Sequence, residues 1–205
     1  MKKLRSVLSV GIICFTVFFA KADDAAMREA FSQSYTYETS GDYTKAISVL
    51  RTVYIESSYE LNLRLGWLYY LSASYTESMT YYQKAIKIMP YSVEARLGYV
   101  LPTSVLENWE QVMEQYKEIL KVDPQNTKTN YNLGLMYYNK NNFAEAAKNF
   151  EKVVNLYPFD YDSSIMLAWT YFKSDKLREA KVLFNKTLLM RPNDVSATEG
   201  LKGIK

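Results

Sequence analysis

Histidine is missing from this chain of 205 residues, and cysteine occurs once, at Cys14. Without imidazole or a second thiol, the usual zinc ligand sets and the Ser-His-Asp triads cannot be assembled. A disulfide within the chain is excluded as well. Surplus basic charge is also absent once the first 22 residues are set aside: Lys2, Lys3, Arg5 and Lys21 lie there, leaving 21 basic against 22 acidic side chains. A near-neutral body argues against nucleic acid as a partner, because neutralising phosphates takes a clustered excess of Lys and Arg. No glycine-rich phosphate loop or metal-ligand spacing is present, and the carboxylates are scattered. No catalytic, cofactor-binding or metal-binding residue is therefore assigned, and the chain is expected not to be an enzyme.

What the chain does have is apolar surface, with 48% hydrophobic residues, enough for a packed structure. Its one continuous apolar run stands at the start. Met1 to Arg5 is short and basic, Ser6 to Ala20 is mostly apolar, and Ala20 and Ala22 place small residues three and one before a cut after Ala22. This is the pattern of a signal peptide over residues 1–22. The run falls short of the roughly 20 residues that a membrane-spanning helix needs. Sec-type export is expected, with no membrane insertion after cleavage, leaving residues 23–205 in the periplasm or another extracytoplasmic space; an uncleaved anchor is the alternative. Cys14 follows Ile12-Ile13 rather than a small residue, and it reads as apolar filling, not a lipidation site.

Four of the five prolines, Pro90, Pro124, Pro158 and Pro192, recur with a constant 34-residue period. Other residues fall into the same register: Leu65-Gly66, Leu133-Gly134 and Leu167-Ala168, followed three positions later by Tyr69, Tyr137 and Tyr171. Such self-similarity marks a repeat architecture. Within Thr127 to Asp160, Leu133, Gly134 and Tyr137 share one helical stripe, Asn141-Asn142 interrupts it, and Phe143, Ala146, Ala147, Phe150 and Val153-Val154 form a second. Asn142 suits the N-cap of that second helix, and Pro158 closes the unit because it cannot continue a helical ladder. Gly66, Gly134 and Ala168, with Ala146 and Ala180, are small where helices need to approach closely. Glycine inside a helix costs about 1 kcal/mol relative to alanine, so its recurrence signals tight packing.

The set Leu133-Gly134, Tyr137, Ala146, Phe150 and Pro158 resembles the tetratricopeptide repeat family. So do Leu167-Ala168, Tyr171, Ala180, Phe184 and Pro192, and Leu65-Gly66, Tyr69, Tyr82, Ala85 and Pro90. The resemblance implies an all-α fold, a right-handed α-solenoid of stacked helix-turn-helix units, with repeats at approximately 27–58, 59–92, 93–126, 127–160 and 161–194. A closing helix over 194–204 is expected to cover the last unit and to fray near Gly203. Two units depart from the pattern. The first keeps Gly41-Asp42-Tyr43 and Ala46 but has Ser57-Ser58 where proline is expected, and it is about two residues short. In the unit from Val93, Leu97-Gly98 arrives two residues early, and Pro102 is expected to stop or kink the first helix near Leu101.

In this family the first helices line a concave groove. Here that stripe offers Phe31, Tyr35, Leu63, Trp67, Tyr70, Tyr131, Leu135, Tyr138, Ile165, Trp169 and Phe172. Some relatives grip a C-terminal carboxylate through Lys and Asn on this stripe. At the corresponding positions this chain has Phe31, Tyr35, Leu63, Trp67, Tyr131 and Leu135, so that activity is not carried over. The expected partner is an apolar protein or peptide segment held in an aromatic-lined groove, outside the cytoplasm. Two alternatives remain open at this stage. Adjacent first helices bury the stripe against each other, or the chain is an oligomerising subunit of an envelope complex whose groove is filled by another copy. The alternating Glu145, Lys148, Glu151 and Lys152 read as a solvated face with no function.

Overall fold

A computed structural model of the protein describes residues 24–204. The expected signal peptide and its cut after Ala22 lie outside the described residues. Among them the chain is all helix, eleven helices with no strand. Helix α1 covers 24–39, followed by α2 (Tyr43–Arg51), α3 (Tyr59–Leu71), α4 (Tyr75–Ile88) and α5 (Val93–Val105). These belong to a first compact unit ending at Glu107. A second unit starts at Asn108 and holds α6 (Trp109–Val122), α7 (Thr127–Asn139), α8 (Phe143–Leu156), α9 (Tyr161–Lys173), α10 (Leu177–Met190) and α11 (Val195–Gly203).

The helices start where small polar residues can satisfy the free amides of a first turn. Asp42, Ser58, Ser92, Asn108, Asn126, Asn142, Asp160 and Asp194 each accept a hydrogen bond from the backbone N–H three residues on. The turn after each first helix needs one residue in the left-handed region. Gly41, Ala73, Glu107, Asn141 and Asp175 take it in turn. Glycine does so without strain, whereas an alanine Cβ at φ 58 meets the following carbonyl. Ala73→Gly is therefore expected to stabilise the protein by about 0.5–1 kcal/mol, net of the extra freedom glycine has in the unfolded chain. A urea midpoint that stays put or falls would contradict this.

The prolines occupy equivalent corners. Pro90, Pro124, Pro158 and Pro192 each lie two residues past the end of a second helix. The corner carbonyl is captured by a side chain six residues on: Arg96 Nη2 donates to the Pro90 carbonyl at 2.9 Å and Asn130 Nδ2 to that of Pro124 at 3.0 Å. The first unit keeps this corner without proline. Asn62 Nδ2 donates at 2.8 Å to the carbonyl of Glu56, the residue in the proline register. The Tyr54 hydroxyl, which donates to Asn62 Oδ1 at 2.9 Å and accepts from Lys84 Nζ at 3.1 Å, holds the turn in place.

In the first unit, Ala30, Ala46, Leu50, Leu61, Leu65 and Leu68 form the core. Next to it the Tyr82 ring of α4 is buried between two glycines. A Cβ at Gly66 would come 2.9 Å from this ring, and one at Gly98 would come 2.2 Å from it. This corrects the reading of Leu97-Gly98 as an early copy of the Leu-Gly pair. The register position equivalent to Gly66 is the buried Val100, and Gly98 is small for a different reason: it admits the ring of the preceding helix.

The expectation that the first helix stops at Pro102 is also corrected. Helix α5 runs through it to Val105. Proline removes one ladder bond, at a cost of about 3 kcal/mol in an isolated helix. Here Gly98, Tyr99, Val100, Pro102 and Thr103 are buried, and packing of that face holds the helix together. The Thr103 hydroxyl adds a bond to the Tyr99 carbonyl at 2.6 Å.

The second unit repeats the scheme. Phe150 sits where a Cβ at Gly134 would come within 2.7 Å, in a cluster with Ala146, Ala147, Val154 and Leu167. Phe184, with Ile165, Ala168, Ala180 and Ala197, forms the next layer, closed by α11, where a Cβ at Gly200 would lie 2.2 Å from the Phe184 ring. Fully burying one such ring is worth about 2–3 kcal/mol. Helix α11 includes Gly203, whose open Cβ position is taken by the edge of Phe172.

Candidate interaction groove

Helices α3 and α5 are each 13 residues long and begin one repeat period apart. Leu97 and Leu101 therefore stand on α5 where Leu63 and Trp67 stand on α3, and all four are half-buried. Together with Phe31 and Tyr35 of α1 they make one apolar face in the first unit. The sequence reading missed Leu97 and Leu101 because it ended the helix at Pro102. The register of α3, carried forward by one period, was the signal that would have found them.

That face is not uniformly open. Tyr35 is its exposed member, at 54%, and its ring covers the guanidinium of Arg64, whose Cζ lies 3.8 Å from the ring centroid. Arg64 is 7% exposed. Its Nη1 pairs with Glu38 Oε2 at 2.5 Å, and its Nε donates to Ser34 Oγ at 3.2 Å. Nη2 is left without a hydrogen-bond partner. Glu38 also accepts from Trp67 Nε1 at 2.7 Å, and the Trp67 ring lies 5.8 Å from that of Tyr70. Trp67 is thus tied to α1 through its N–H, with part of its ring facing outward. The sequence reading did not single out Arg64 or Glu38, since a charge within an apolar helix is recognised as buried only when its partner is known.

In the second unit, Tyr131, Leu135 and Tyr138 of α7 are half-buried. Tyr131 packs edge-on to Phe150 at 5.8 Å, and Tyr138 to Phe143 at 5.6 Å. Burial pushes both hydroxyls above the usual phenol range, and for Tyr131 the carboxylates of Asp162 and Asp160 add to it. At neutral pH they are uncharged donors. Of the α9 residues, Ile165 needs correction as a groove candidate, whereas Trp169 and Phe172 are half-buried, as Trp67 and Tyr131 are. Ile165 is 7% exposed and belongs to the core around Phe184. Trp169 packs on Phe184 at 5.1 Å and Phe172 at 5.4 Å, and its Nε1 donates to Ser196 Oγ of α11 at 2.8 Å. Phe172 reaches Gly203. The physical reason is that α11 lies against α9 and packs on part of the apolar stripe that a free end would leave open.

Tetratricopeptide repeat family models match residues 59–91 and 127–160. This chain is a tetratricopeptide repeat protein. Solved structures agree on the fold. A tetratricopeptide repeat protein from Parabacteroides merdae ATCC 43184 superposes with a TM-score of 0.73 at 19% identity, covering 88% of this chain and 72% of that one. A crystal structure of MamA protein gives 0.70 at 18% identity, with 80% and 91% covered. A MamA structure from AMB-1 gives 0.69 at 18%, with 86% and 98% covered. No curated protein sequence matches. Tetratricopeptide repeat proteins are scaffolds for contact between proteins and are generally non-enzymatic. Among the described residues no group of three or more His, Cys, Asp or Glu is placed to hold a metal ion. No helix among them is long and apolar enough to cross a membrane.

Proposed function

We propose that this tetratricopeptide repeat protein is an adaptor that holds an apolar segment of another protein, outside the cytoplasm, with the face formed by Phe31, Tyr35, Leu63, Trp67, Leu97 and Leu101 as its principal seat. The observation that carries the reading is that this face stays partly open on three successive first helices, with Tyr35 exposed on it. Apolar and aromatic side chains left half-exposed in a row give a partner hydrophobic area and anchoring rings. Tyr131, Leu135 and Tyr138 offer a second, smaller stretch of the same character. The basic start, apolar run and small residues before Asp23 support export.

The test is cross-linking in native cells followed by mass spectrometry, comparing wild type with Tyr35→Ala and with Leu63→Asp plus Leu97→Asp. One partner should dominate the wild-type cross-links. Its yield is expected to fall several-fold for Tyr35→Ala and about ten-fold or more for the double variant, corresponding to about 1.4 kcal/mol or more of binding. Helical circular dichroism should be retained. Unchanged cross-links in both variants would exclude this face. A mass of two chains at micromolar concentration, lost in the same variants, would assign the face to a second copy. N-terminal sequencing of the fractionated protein, expected to begin at Asp23 in the extracytoplasmic fraction, tests the location separately.

A further inference from the structure

The second helices share the 34-residue register, so the outermost positions of α10 can be compared with those of its counterparts. Val182 falls where α4, α6 and α8 carry Thr80, Glu114 and Lys148, and Leu189 falls where they carry Lys87, Lys121 and Asn155. Both apolar residues are open, Val182 at 67% and Leu189 at 75% exposure. With Arg178 and Asn185 they are spaced four, three and four residues apart. That spacing makes one straight stripe along the helix, the seam by which one helix meets another in a coiled coil.

Lys181 precedes the Val182 seam position by one residue and Lys186 follows it by four. In seam geometry these are the flanking positions whose charge selects the partner. Among the described residues neither lysine has an ion-pair partner. Lys121 and Lys148, by contrast, pair with Glu118 and Glu145 three residues earlier, where Lys181 and Lys186 have Arg178 and Leu183. Residues 176–191 carry five basic side chains and one acidic, whereas the same window around α8, residues 142–157, carries two of each.

We propose that the outer face of α10 is a second docking surface, separate from the groove, and that it takes an acidic amphipathic helix with an apolar seam flanked by Glu or Asp. The two lysines decide the occupant. A second copy of α10 laid on the first would set lysine against lysine, which repels. An anionic bilayer calls for a broader apolar face than two side chains provide. Asn185 in the seam fixes the register of the partner at some cost in affinity.

The test uses the full chain and two labelled helical peptides with leucine at the seam positions, one with Glu and one with Lys at the flanks, read by fluorescence anisotropy at low salt. The Glu peptide is expected to bind about ten-fold tighter than the Lys peptide. Val182→Thr with Leu189→Asn installs side chains already present in this register on α4 and α8, so the fold should tolerate them; binding of the Glu peptide is expected to drop about ten-fold. Lys181→Glu with Lys186→Glu should reverse the preference, and Tyr35→Ala should leave every value unchanged. Equal affinity for the two peptides, or full binding by the Val182 and Leu189 variant, would overturn the proposal. So would a doubled mass, or co-sedimentation with phosphatidylcholine–phosphatidylglycerol vesicles, that the same variant abolishes, since each assigns the face to a different occupant.

Discussion

Glu38→Ala is expected to destabilise the first unit by about 3–5 kcal/mol, because it leaves the Arg64 guanidinium buried with no counter-charge. Arg64 is 7% exposed, Glu38 is its only ion-pair partner among the described residues, and Nη2 already lacks a hydrogen bond. The same substitution removes the acceptor of the Trp67 N–H. Marginal stabilities of about 5–15 kcal/mol make this a large fraction of the total. The asymmetry of buried pairs gives a sharper form of the test. Glu38→Leu with Arg64→Met, which removes both charges and keeps the volume apolar, is expected to recover most of that loss, with only the Trp67 N–H left without its acceptor. Urea unfolding followed by circular dichroism measures both variants. If the single substitution costs under about 1 kcal/mol, the guanidinium reaches water and the pair is not a buried one.

Trp169→Ala is expected to cost up to about 3 kcal/mol, because a half-buried ring that packs on a core cluster is lost. The ring packs on Phe184 and Phe172, and its N–H bonds Ser196, so its loss opens the layer between α9, α10 and α11. Amide exchange in α11 should rise well before the rest of the second unit opens. Tyr35→Ala, by contrast, removes an exposed ring and is expected to stay within about 1 kcal/mol of wild type. The two aromatics occupy equivalent stripes of first helices, and the sequence alone treats them alike. If Trp169→Ala unfolded no more easily than Tyr35→Ala, the contacts of Trp169 with Phe184 and Ser196 would not be holding α11 in place. A paired Trp67 and Trp169 substitution cannot separate binding from folding, since both rings are half-buried, pack against a core cluster and donate their N–H to a neighbouring helix.

Departures from the repeat pattern show where local reading fails. Pro102 is a helix breaker by its own chemistry, yet α5 passes through it because the faces of Tyr99, Val100 and Thr103 are buried. Gly98 looked displaced in the alignment but is small for the ring of Tyr82. In both cases the deciding partner lies on another helix, which a spacing argument cannot see. Asn62, by contrast, could have been recognised: it stands two repeat periods before Asn130 and makes the same corner bond.

The architecture was legible from residues alone because it is periodic. A 34-residue recurrence of proline, small and aromatic residues specifies helix pairs through local geometry and shape, and these act within a few residues of each other. Which aromatics remain available to a partner was decided only by tertiary structure. Exposure depends on what is laid against a face: Arg64 and Glu38 lock beside Tyr35, and α11 packs beside Ile165, Trp169 and Phe172. The residue types on these stripes are nearly the same, so the difference comes from long-range packing and not from the composition of either helix.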